Sequence, residues 1–85
     1  MANNVVLKTI ALTEALQPLA VTSQVITATL SAPPTNSGSV TLRTPDGSEV
    51  DFQPGEWHIL HRVDLAHLQA KGQTGDELSI VGGTW

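Results

Sequence analysis

The chain has 85 residues, a net charge of −4, only four basic side chains and no cysteine. Such a length makes one domain that buries roughly 60–65% of its unfolded surface, and without cysteine neither a disulfide nor a thiolate metal centre can staple it. Lys8, Arg43, Arg62 and Lys71 are scattered, which excludes the basic face needed for nucleic acid or an anionic membrane surface, and no apolar run approaches the ~20 residues of a membrane span.

The opening MANNVVLKT carries no charged region followed by a long apolar one, so no secretory signal is expected. Residues 1–4 read as an N-terminal arm. Val5–Leu12 is β-branched and apolar and reads as the first strand. Thr13–Gln17 begins like a helical turn, but Pro18 stops it, and Ala15–Val21 reads as irregular chain or an edge strand. Gln24–Leu30 is a strand with Ile26, Ala28 and Leu30 on one side and Thr27 and Thr29 on the other. Ser31–Gly38 is a loop of breakers.

Ser37–Leu60 reads as three short strands forming an antiparallel meander. Val40 and Leu42 alternate with Thr41 and Arg43. Thr44-Pro45-Asp46-Gly47 is a turn in which proline presets φ, Asp bonds its own backbone and Gly takes positive φ. Val50 and Phe52 then alternate with acidic residues, Pro54-Gly55 reverses the chain, and Trp57 and Ile59 alternate with His58. Asp64 is placed to cap a single turn over Asp64–His67, leading into a strand over Leu68–Lys71. Gln73–Asp76 is a hairpin turn, Glu77–Val81 a last strand with Leu78 and Ile80 inward, and residues 82–85 a C-terminal tail.

Seven or eight short strands at this spacing predict an all-β fold, a small antiparallel β-sandwich or barrel of jelly-roll-like form, with at most one short helical turn. Period-2 alternation predicts a core of Leu7, Ile26, Leu30, Val40, Leu42, Phe52, Ile59, Leu68, Leu78 and Ile80. Trp57 reads as core in preference to a binding platform.

The chemistry-bearing residues do not gather into a site. His58 and His61 are three apart on one strand and point to opposite faces unless the strand bulges. Asp46, Glu49, Asp51 and Glu56 are spaced as solvated strand and turn residues, without a cleft for a paired-carboxylate reaction or the ligand spacing of a calcium loop. No serine stands in a Gly-x-Ser-x-Gly elbow, and the glycine pairs lack a phosphate-binding context. The expectation is a protein that is not an enzyme and carries no cofactor or metal.

From Gln24 onward a set of turn and packing signals follows in order: Ile26–Ala28, the loop with Asn36-Ser37-Gly38, Ser39–Leu42, Gln53-Pro54-Gly55-Glu56, Val63-Asp64-Leu65, Lys71-Gly72 and Thr74–Ile80. Over Gln24–Gly83 the chain resembles the small β-sandwich virion proteins of tailed bacteriophages, particularly capsid decoration (cement) proteins; where such sequences often carry an aromatic strand after the Asp-Leu turn, this chain has Ala66-His67-Leu68-Gln69. The resemblance implies a structural protein made in the host cytoplasm and carried on the outer capsid surface. There it would bridge major capsid protein subunits and associate with itself as a dimer or trimer. The alternative is a tail, neck or fibre-associated module that recognises carbohydrate or a host surface. The candidate interface residues are Asn3, Asn4 and Trp85, with Trp85 as an apolar anchor. On this reading, deleting 82–85 leaves the isolated domain folded but weakens its occupancy on capsids.

Overall fold

In the computed structural model, which describes residues 5–84, eight strands and one 3₁₀ turn follow in chain order. They are β1 (Val5–Ala11), β2 (Gln17–Pro18), β3 (Val25–Ser31), β4 (Val40–Arg43), β5 (Glu49–Phe52), β6 (Trp57–Asp64), the turn Leu65–His67, β7 (Gln69–Lys71) and β8 (Glu77–Gly83). The fold is all-β, two four-stranded antiparallel sheets ordered β1-β8-β3-β6 and β2-β7-β4-β5. Each strand of the chain's first half pairs with its mirror position in the second: β1 with β8, β2 with β7, β3 with β6 and β4 with β5. This is a long antiparallel ribbon rolled into a sandwich, the strand order of a jelly roll.

The core between the sheets is built from the inward phases. Ile26, Ala28 and Leu30 of β3, Leu78 and Ile80 of β8, Val40 and Leu42 of β4, and Phe52 of β5 are buried, as their alternation predicts. Ala70 closes it from β7, and Leu12, Leu19, Leu65 and Leu68 fill it from the connections. The predicted single turn is present: the Asp64 carboxylate accepts from the Ala66 N–H, and the Leu68 N–H closes on the Leu65 carbonyl. The turn after β4 also forms as its residues dictate. Gly47 takes φ 90° and donates to the Thr44 carbonyl, and Asp46 accepts from the Thr44 hydroxyl and the Ser48 N–H.

Four expectations are corrected. Leu7 is not core: it is 71% exposed, and the inward phase of β1 is Val6, Lys8 and Ile10. The stretch VVLKTIA is apolar in both phases, and Lys8 is accommodated inward because its ammonium donates to the Leu19 carbonyl at 3.0 Å. Ile59 and Trp57 are 50% and 59% exposed; the other phase of β6 turns towards the core, with the His58 ring 4.8 Å from that of Phe52 and Leu60 packed on the core. The meander is only a β4–β5 hairpin. At Pro54-Gly55 the chain leaves the second sheet for the first, drawn there because Gly55 donates to the Ala32 carbonyl and Glu56 accepts from the Ala32 N–H. Lastly, Gly82 and Gly83 are strand, not tail, paired with Val6 and Val5 on one side and Ala28 and Thr27 on the other.

The connections are tied by two aspartates. The Asp76 carboxylate, buried at the turn before β8, accepts from the Ser37 N–H and hydroxyl and from the Gly38 N–H, while Asn36 exchanges two hydrogen bonds with the Glu77 backbone. Ser37 first, then Gly38, hold the Asp76 carboxyl below its ordinary value. Asp64 fastens the loop before β3 in the same manner, accepting from the Ser23 hydroxyl at 2.6 Å and the Gln24 N–H at 2.9 Å. These bonds, with the cap to Ala66, lower its carboxyl from 3.8 to about 2. Because the folded value is the depressed one, the stabilisation is complete above 3.8 and is lost as pH falls from there towards about 2. Acid titration followed by circular dichroism is expected to show that loss, and Asp64→Asn should be less stable at neutral pH while losing less between those limits.

Candidate interaction surface

The two outer faces of the sandwich differ in character. Across the second sheet, Thr41 and Arg43 of β4 lie beside Asp51 and Glu49 of β5 and Lys71 and Gln69 of β7. Thr41 donates to Asp51, and Arg43 stands 4.0 Å from Glu49. This face is charged and hydrated. Glu14, Ser39, Thr41, Lys71 and Gln73 line an open polar groove on it.

The outer face of the first sheet carries a cross-strand row of Leu7, Val81, Thr29 and Ile59, one residue from each strand in register. The adjacent row is Thr9, Ser79, Ser31 and Trp57, and beyond the first row lie Val5, Gly83 and Thr27. Leu7, Val81, Ile59, Trp57 and Val5 are all at least half exposed. Charge enters only at the margins, with Glu77 beside Ala11 at one end and Arg62 and Asp64 at the other. An antiparallel sheet with one solvated face ordinarily puts polar side chains there. Here the exposed apolar side chains are interleaved with the hydroxyls of Thr9, Thr27, Thr29, Ser31 and Ser79, and the face carries no charge at its centre, which makes it a candidate interaction surface.

The free edges of the sheets are blunted. On β6 the register slips so that His61 and Arg62 together oppose Thr27, and Arg62 sits at φ 53°, a left-handed conformation uncommon outside glycine. On β1 the inward Lys8 is an edge-strand charge. β2 is two residues long and ends in Pro18, and β5 presents Glu49 and Asp51. All four are recognised obstacles to strand addition.

Between the edges of β5 and β6 the sandwich opens into an apolar groove of about 270 Å³ lined by Leu42, Val50, Phe52, His58, Ile59 and Leu60. His58 there bonds Glu56 at 2.6 Å, and Glu56 accepts from the Gln53 N–H at 2.9 Å; Gln53 first, then His58, hold the Glu56 carboxyl below its ordinary value. These bonds fix the Gln53–Glu56 turn.

Among the described residues no three His, Asp or Glu side chains come together as metal ligands, and no helix is long and apolar enough to cross a membrane. The three candidate interface residues, Asn3, Asn4 and Trp85, lie outside the described residues. Sequence reasoning missed the apolar face because it assigned Leu7, Ile59 and Trp57 to the core. The signal was present in the odd-numbered phase of β1, where apolar side chains avoid the only lysine of the strand. Comparison with known protein families, with curated proteins and with solved structures finds no match.

Proposed function

We propose that this chain is a non-enzymatic structural protein of a phage virion, a decoration protein that binds the outer capsid surface, bridges major capsid protein subunits and associates with copies of itself. The observation that carries the reading is the polarity of the sandwich, which sets an uncharged apolar outer face against a charged, hydrated one. Such a domain offers one face to another protein, a neighbouring copy or the shell, and the jelly-roll strand order is one that viral capsid and lectin domains use. The sugar-binding alternative wants a row of exposed aromatics. Of the described aromatics, Phe52 is buried and Trp57 stands among aliphatic and hydroxyl side chains.

Co-sedimentation of the purified protein with empty, expanded capsids is the test. Saturable binding with a fixed number of copies per capsid subunit is expected. Absence of binding at micromolar protein, together with retention on a glycan array, would replace this reading with the carbohydrate one.

A further inference from the structure

We infer that the outer face of the β1-β8-β3-β6 sheet is a homodimer interface, on which a second copy of this chain packs sheet to sheet about a two-fold axis. The inference rests on the assembly reading for its biological sense, but its physical argument is independent of any shell.

Three observations select a second copy. The first is shape. Sheet-on-sheet packing needs an occupant with the same handed twist, about 10 Å away and rotated by about 30°. A copy of this sheet supplies that twist. Large side chains stand on the outer strands, Leu7 on β1 and Trp57 and Ile59 on β6, while Thr29 and Ser79 keep the middle low on either side of Val81.

The second observation is charge. The protein carries −4, so two copies repel unless their acidic groups stay apart. The apolar face admits charge only at its margins, and Asp51 and Glu49 lie on the opposite sheet. Face-to-face contact therefore keeps Asp51 and Glu49 of the two copies apart.

The third is that the alternative route is closed. Each free edge is shortened, bulged or charged, as described above, so copies cannot extend the sheet by adding strands. That favours self-association through a face over association through an edge.

Size sets the strength. Four strands spaced by about 4.8 Å and seven residues rising about 3.3 Å each give a footprint of about 19 by 23 Å, or roughly 440 Å² per copy before side-chain relief. The two copies together then cover about 880 Å², below the ~1,200 Å² total of standard specific interfaces and in the range of weak, transient ones. The dimer should form with a Kd in the micromolar range rather than be obligate.

Sedimentation equilibrium of the full chain, from about 5 μM to 1 mM, reads this directly. A monomer–dimer equilibrium is expected, and added salt should leave it unchanged or tighten it, because screening removes repulsion and no central ion pair is lost. Val81→Glu places two buried carboxylates at the centre of the interface and should raise the dimer Kd at least about 100-fold. Its circular dichroism spectrum and melting should stay close to wild type, since Val81 is half exposed in the single chain. Arg43→Glu, on the opposite sheet, should leave the dimer intact. A wild-type chain that stays monomeric at about 1 mM, or a Val81→Glu chain that is folded and dimerises as before, overturns the inference. A monomeric wild type whose capsid binding is abolished by Val81→Glu would also overturn it, assigning the face to the shell while leaving the decoration reading standing.

Discussion

Gly82→Ala is expected to cost about 3 kcal/mol or more and to leave little folded protein, the largest effect of any single-methyl addition to the chain. A Cβ at Gly82 would lie 2.3 Å from the Thr27 carbonyl oxygen, 2.8 Å from Ala28 Cα and 2.9 Å from Ala28 Cβ. The first two of these are backbone atoms of β3, the strand hydrogen-bonded to β8 across this position. Relief requires moving one central strand away from the other, which breaks the ladder and opens the core under Leu30 and Ile80. Gly38→Ala is the control. Its Cβ would come within 2.8 Å of Gln73 Cγ, but that atom belongs to a flexible side chain able to swing into solvent, so a small loss is expected. Urea titration of both variants against wild type checks the pair. Equal losses would mean that the close approach of β3 and β8 is not what position 82 requires.

Truncating the core should weigh nearly as much. Leu30 is wholly buried at the centre of β3, packed between the sheets, and Leu30→Ala should remove about 3–5 kcal/mol. For a domain whose net stability is on the order of 5–10 kcal/mol, that brings a large fraction of molecules close to unfolding at room temperature. Leu7→Ala makes the same chemical change on the exposed phase of β1 and should fall within about 0.5 kcal/mol of wild type in dilute solution. The contrast fixes which face of β1 is inward. A large loss at Leu7 in the monomer would reverse that phase and remove the apolar outer face with it.

Much of the fold is legible in the residues because local rules coincide with tertiary ones. In β3, β4 and β8 one phase is mainly apolar and the other mainly polar, with Val25 and Val81 the exceptions, so alternation selects Ile26, Leu30, Val40, Leu42, Leu78 and Ile80 as core. Asp64 and the Thr44–Gly47 turn carry their own hydrogen-bonding chemistry and form where it predicts. The failures arise where both phases are apolar or where partners far along the chain decide. In β1 and β6 the choice between Val6 and Leu7, or Leu60 and Ile59, turns on where Lys8 and His58 find their contacts. The bulge at His61 and Arg62 then resets the phase, so that Val63 packs on the core again. Nothing near Pro54-Gly55 announces a change of sheet; Ala32, more than twenty positions earlier, dictates it. The candidate surface was hidden by the same ambiguity, since side chains assigned to the interior are the ones that form it.

The mirror pairing of the strands also sets the order in which the molecule can come into being. β8 lies between β1 and β3, so the first sheet has a gap at its middle until residues 77–83 are available to fill it. A nascent chain lacking those residues holds only β3–β6 on one side and β7–β4–β5 with the short β2 on the other, with β1 stranded at a distance. Only the β4–β5 hairpin closes a short loop; every other pairing waits on the loop-closure entropy of long intervening segments. Refolding should accordingly run on the millisecond-to-second scale of non-local β topologies. The insertion of β8 between β1 and β3 is expected as the last, cooperative event of refolding.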